Sequence, residues 1–108
     1  MKIAIASTGN ETKSRLSPVF SRCNTFVFFD SETHALEFFP NPFKNAGNEA
    51  GNLAMQLMVS RGVDMVVGMR FGQKIKQGFD SRKICMVIYK DPQMEVGDVV
   101  RLLNKRKV

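Results

Sequence analysis

The sequence has little of what catalytic and metal centres are usually built from. It contains one histidine, His34, and two cysteines among 108 residues. No Ser-His-Asp or Cys-His set can be assembled from these. His34 has no second histidine or carboxylate at ligand spacing and reads as a surface residue. Cys23 and Cys85 stand far apart without a Cys-x-x-Cys spacing, so neither a zinc cage nor a disulfide framework is indicated and both read as reduced thiols. Carboxylates are few, and a two-metal nuclease needs several converging on one site. The candidates are Asp30, Glu49 and Asp64, of which only Asp64 falls near a central strand, at its beginning. A basic stripe interleaved with aromatics along one strand, as single-strand nucleic-acid binders use, is also missing. The apolar runs fall far short of the ~20 residues a membrane span requires. Met1 to Ala6 is too short for a signal-peptide core, which places the chain in the cytoplasm.

What is present is an ordinary globular composition, 44% apolar and 24% charged, with a net charge of +6. A chain of this length predicts a single domain over residues 1–108 with one core. The positive charge favours anionic partners and does not say whether they are nucleic acid, nucleotide or an anionic cofactor.

The segment from Arg61 to Gly72 organises the rest. Gly62 can take the left-handed conformation that closes a helix, Val63 to Val67 has the length and apolarity of a buried strand, and Gly68 to Gly72 turns the chain into another helical pattern. A glycine-flanked loop at the carboxyl end of a central strand is the usual place for a ligand in an open α/β sheet. This loop holds Met69, Arg70 and Phe71.

In chain order, Lys2 to Ala6 predicts a central strand. The segment from Ser7 to Arg22 is long for a connection. Its Leu16, Val19 and Phe20 can pin it to the body while Lys13, Arg15 and Arg22 face a ligand, or the whole can be a solvated loop. Thr25 to Asp30 and His34 to Phe39 predict two antiparallel strands around Ser31-Glu32-Thr33, ended by Pro40-Asn41-Pro42. Ala50, Leu53, Ala54, Leu57 and Met58 share one face of a helix from Asn48 to Arg61, capped by Asn45 or Asn48. Met55 and Met58 read as core filling. Phe71, Ile75 and Phe79 give a second helix, Ile84 to Tyr89 a strand buried on both faces with Cys85 as a core residue, and Val96 to Leu103 a closing helix ended by the basic tail Lys105-Arg106-Lys107.

This order fits one mixed five-stranded sheet with helices on its faces. With right-handed crossovers, the first and central strands lie parallel and adjacent. Their carboxyl-end loops then form a rim that gathers Lys13, Arg15, Arg22 and Arg70 around Phe20, Met69 and Phe71.

Leu16-Ser17-Pro18-Val19-Phe20-Ser21-Arg22, Asn41-Pro42, Gly51 with Ala54, Gly62-Val63-Asp64, and Gly68 with Gly72 resemble the successive landmarks of the dinitrogenase iron-molybdenum cofactor biosynthesis family. That family includes NifX-like and NafY-like carriers and small orange-protein-like chains. The resemblance implies a ribonuclease H-like α/β fold and non-catalytic, non-covalent binding or carriage of a molybdenum- or iron-containing sulfide cluster or its precursor. It implies a cluster donor or acceptor protein as partner. Joined to the rim, it gives Arg15, Ser17, Phe20, Arg22, Gly68, Met69, Arg70 and Gly72 as the cofactor-binding set. Ser21, Cys23 and Gln73 depart from the family's usual glycine, small residue and proline. Cys23, next to Arg22, is the soft donor an under-coordinated metal would recruit. The readings from other classes are a nucleic-acid-binding or nuclease-like protein, and a structural or interaction protein with no cluster.

Overall fold

The computed structural model describes residues 1–105, so Arg106 and Lys107 of the expected basic tail lie outside the described residues. Five strands are ordered β3-β2-β1-β4-β5, where β1 is Lys2–Ser7, β2 Thr25–Asp30, β3 Leu36–Pro40, β4 Met65–Gly68 and β5 Cys85–Ile88. β1 runs antiparallel to β2 and parallel to β4, β2 antiparallel to β3, and β4 parallel to β5. The helices are α1 (Ala50–Ser60), α2 (Gln73–Ser81) and α3 (Val96–Lys105).

The two-residue period of β1 sorts the core into two layers. Its alanines, Ala4 and Ala6, face a cluster formed by Phe26 and Val66 of the sheet, Ala54 and Met58 of α1, and Ile75 and Phe79 of α2. Its isoleucines, Ile3 and Ile5, face Val27, Phe29, Met65 and Val67 with Val96, Val99 and Leu103 of α3. The small side chains lie on the layer that also holds the rings of Phe20 and Phe71. Two helices cover one face and one helix the other.

Both crossover helices end in the same way. Gly62 takes a left-handed conformation at φ 67°, its amide donating to Val59 and that of Val63 to Met58. After α2, Lys83 occupies the equivalent place at φ 59°, with its amide bonded to Asp80 and that of Ile84 to Phe79. These are Schellman endings, and glycine is the residue that adopts them without steric cost.

Two local expectations are corrected. Neither Asn45 nor Asn48 caps α1, because the chain enters that helix through a 3₁₀ turn, Gly47–Glu49, and Glu49 at the cap position makes no side-chain bond. The strand containing Cys85 is not buried on both faces, because β5 is the edge of the sheet, and Cys85 is exposed. No helix among the described residues is long and apolar enough to cross a membrane.

Candidate functional site

The long connection from β1 to β2 is tied down at several points. Ser17 donates its amide to Ala6, Leu16 to Met94 and Thr8 to Arg15, while Val96 and Gly97 at the start of α3 donate to Ser14 and Thr12. Its apolar residues part at the end of β1. Leu16 joins the α3 layer, and Phe20 joins the layer beneath α1 and α2. Phe20 stacks on Phe71 with ring centres 4.9 Å apart, and meets Phe79 edge-on at 5.9 Å. The Phe20 amide also donates to the carbonyl of Arg70. Thus the two loops expected to share a rim do share one, bonded backbone to backbone.

Above this anchor lies a concavity of about 490 Å³, lined by Pro18, Met69, Arg70, Phe71, Lys76, Ile88 and Lys90. It lies at the carboxyl ends of β4 and β5, which are level because Gly68 pairs with Ile88. The lining contains three cations and no carboxylate, over apolar and thioether groups. Behind it, Gly72 precedes α2 without any side-chain cap, so the first-turn amides keep the positive end of the helix dipole.

Of the residues expected in the site, Met69 and Arg70 line this concavity. Gly68 and Gly72 do not line it: a Cβ on Gly68 would lie 3.4 Å from both the Phe20 and Phe71 rings, and Gly72 is the residue before α2. Phe20 is completely buried and acts from below. Arg15 and Arg22 do not line it. The Arg22 guanidinium instead donates to the carbonyls of Gly47 at 2.8 Å and Lys44 at 3.4 Å, holding the approach to α1. Sequence reasoning missed Pro18, Lys76, Ile88 and Lys90 as lining residues. The available signal was Lys90, which follows the last strand at the same end as Met69 and Arg70 follow theirs.

A model of the dinitrogenase iron-molybdenum cofactor family matches residues 1–106. The chain belongs to that family. MJ0580 of Methanocaldococcus jannaschii, an uncharacterized protein, is 25% identical over 111 residues, covering 100% of this chain and 89% of that protein. The apo form of the orange protein from Desulfovibrio gigas superposes with a TM-score of 0.87 at 23% identity, over 99% of this chain and 89% of its own. The PH0822 crystal structure gives 0.78 at 24% identity, over 99% and 91%. Both structural likenesses speak to the fold, a mixed five-stranded α/β sheet.

Several residues of this family chain have plain structural tasks. Ser17 is buried, and its hydroxyl donates to the carbonyl of Val19. The buried Asn41 donates through Nδ2 to the carbonyls of Ser21 and Cys23, both at 3.0 Å, and accepts the amide of Phe43 at 2.9 Å. It clamps the end of the β1–β2 connection to the exit of β3.

Cys23 is placed inside the fold rather than on the rim. The 3₁₀ turn Phe20–Arg22 rolls it into the core, where its side chain is completely buried, and burial pushes the thiol pKa up to about 12. Metal ligation requires the thiolate, which this environment disfavours. Cys85 is the exposed cysteine, so the expected exposures of the two are reversed.

The carboxylates do not converge. Asp64 accepts the backbone amide of Lys2, and Asp30 accepts those of Glu32 and Thr33. Among the described residues no three of His, Cys, Asp and Glu stand together as a metal ion would need. A second concavity of about 460 Å³ at the opposite ends of the strands includes Lys2, Phe28, Asp30, Glu37 and Arg61. There Arg61 lies 4.0 Å over the Phe28 ring and pairs with Glu37. Its charges answer one another, whereas those of the Met69–Arg70 concavity do not.

Proposed function

We propose that the chain binds and carries an anionic metal-sulfide cluster or its precursor in the concavity at the carboxyl ends of β4 and β5, and that it does so without catalysing a reaction. The observation that carries this reading is a lining of Arg70, Lys76 and Lys90, unopposed by any carboxylate, over Met69, Phe71, Ile88 and Pro18. A cluster whose sulfides already satisfy its metals needs no protein thiolate. It needs cations and amide dipoles for its charge, and polarizable or apolar groups against its sulfur atoms. The donor set fits such an anion and does not fit a bare metal ion. Membership of the iron-molybdenum cofactor family supports the cargo. Within this reading residues 1–108 act as one domain on a ribonuclease H-like scaffold, and the cluster is exchanged with a donor or acceptor protein.

Equilibrium dialysis of the anaerobically prepared protein against tetrathiomolybdate tests the reading. Saturable uptake with a perturbed charge-transfer spectrum, weakened in Arg70→Ala and Lys90→Ala, is the expected result. Uptake that is absent, or identical in both variants, would remove the site from this concavity.

A further inference from the structure

Much of the chain's net positive charge falls in one stretch that leads into the edge strand β5. Between Arg70 and Lys90 stand six cations, Arg70, Lys74, Lys76, Arg82, Lys83 and Lys90, against one carboxylate, Asp80. All but the half-buried Lys76 are exposed. This stretch runs from the loop after β4 through α2 and β5 to the residues just past it, and β5 is terminal in the sheet. The amides of Cys85 and Tyr89 donate inward, to Asp64 and Gly68. By the alternation of a parallel ladder, those of Met86 and Ile88 then point away from the sheet. The strand itself, Cys-Met-Val-Ile, carries no charge and no proline, and Ile88 is 43% exposed. The other edge is guarded differently: β3 ends in Pro40, which has no amide hydrogen, and its Glu37 is paired with Arg61.

From this edge we infer a docking face for an acidic protein segment that adds as an extended strand beside β5, its carboxylates met by Lys76, Lys83 and Lys90. Strand addition takes affinity from the free backbone groups and specificity from the flanking side chains. Charge complementarity selects this occupant. A second copy of the chain would bring another strongly cationic face against the first. Nucleic acid is disfavoured because α2 and β5 present no exposed aromatic ring on which a base can stack. Lys83 supplies a further observation. It keeps a left-handed conformation, where glycine sits without cost after α1, at the point where the chain enters β5. Ile88 and Lys90 belong both to this edge and to the lining of the concavity. A partner docked here would therefore stand beside the cargo site, and only that consequence rests on the carrier reading.

The test is an amide NMR titration with an acetylated Glu-Val repeat of about eight residues, beside a Lys-Val repeat and an oligothymidylate. Saturable binding of the acidic peptide alone, with slowed hydrogen exchange at Met86 and Ile88, is expected. Met86→Pro, which removes one outward amide, should abolish the effect. Lys83→Gly, which keeps the helix ending relaxed, should weaken binding by about threefold at low salt. Absence of peptide binding, binding without protection of Met86 and Ile88, equal binding of oligothymidylate, or self-association through this edge would each overturn the proposal. Lys83 lies outside the concavity, so Lys83→Gly should take up tetrathiomolybdate like wild type. Thiometallate uptake without peptide docking would sink the docking face alone, and docking without uptake would sink only the carrier reading.

Discussion

The backbone amide of Phe20 donates to the carbonyl oxygen of Arg70 at 3.0 Å, which locks the loop after β1 to the loop after β4. The Phe20 ring continues that lock downward into Phe26, Phe71 and Phe79. Phe20→Ala should therefore cost about 3–5 kcal/mol of stability, the range for emptying a buried aromatic site. Urea unfolding measures it. A loss below about 1 kcal/mol would mean that the loops are held together without the ring.

Charge removal should separate the cations of the concavity from those near it. Arg70→Ala and Lys90→Ala are each expected to weaken tetrathiomolybdate binding by about tenfold at low salt, since each removes an unopposed charge-assisted contact. Arg15→Ala and Arg22→Ala should leave affinity within about twofold of wild type, the Arg22 change loosening only the Lys44–Gly47 approach to α1. Affinities from dialysis decide it, and an Arg22 effect as large as that of Arg70 would extend the site toward α1.

Much of this was legible because local chemistry and tertiary structure agree. Thr25 to Asp30 reads as a strand at the observed bounds, Gly62 closes its helix left-handed, and the parallel pairing of β1 with β4 follows from right-handed crossovers. What was not legible depends on sheet order. The run Ile84 to Tyr89 looks the same whether a strand is central or terminal, so the exposure of Cys85 could not be read from it. Cys23 was misplaced for a related reason. Its neighbour Arg22 faces solvent, but a 3₁₀ turn and the Asn41 clamp direct the next residue inward. Lys90 reaches the site only through the level ends of β4 and β5, a pairing between distant segments, whereas Lys76 enters it from the first half of α2.

Asn41 offers a test of that clamp. Asn41→Ala leaves the carbonyls of Ser21 and Cys23 without their shared donor and should cost about 1–3 kcal/mol. Asn41→Asp should cost more, because an ionised carboxylate donates nothing and is brought against two carbonyl oxygens. Thermal unfolding of the two variants at neutral pH gives the order, and an Asp variant as stable as the Ala variant would show that the clamp relaxes.

The buried thiol of Cys23 predicts how stability responds to alkali. Its pKa rises from an ordinary 9.0 to about 12, chiefly through burial and against the opposing hydrogen bonds to its sulfur. A raised folded-state value means that the neutral thiol is preferred in the native protein. Its contribution is therefore whole below 9.0 and is lost as pH climbs toward 12, because the unfolded chain forms thiolate first. The loss attributable to this group is at most about 4 kcal/mol across that window. Lysines also titrate there, so the informative quantity is the difference between wild type and Cys23→Ala. Urea midpoints at about pH 8 and about pH 10 should fall more steeply for wild type, and parallel declines would mean that the thiol titrates normally. Iodoacetamide gives a second reading from the same side chains. In the native protein Cys85 should be alkylated promptly, and Cys23 should be modified only as fast as the fold opens.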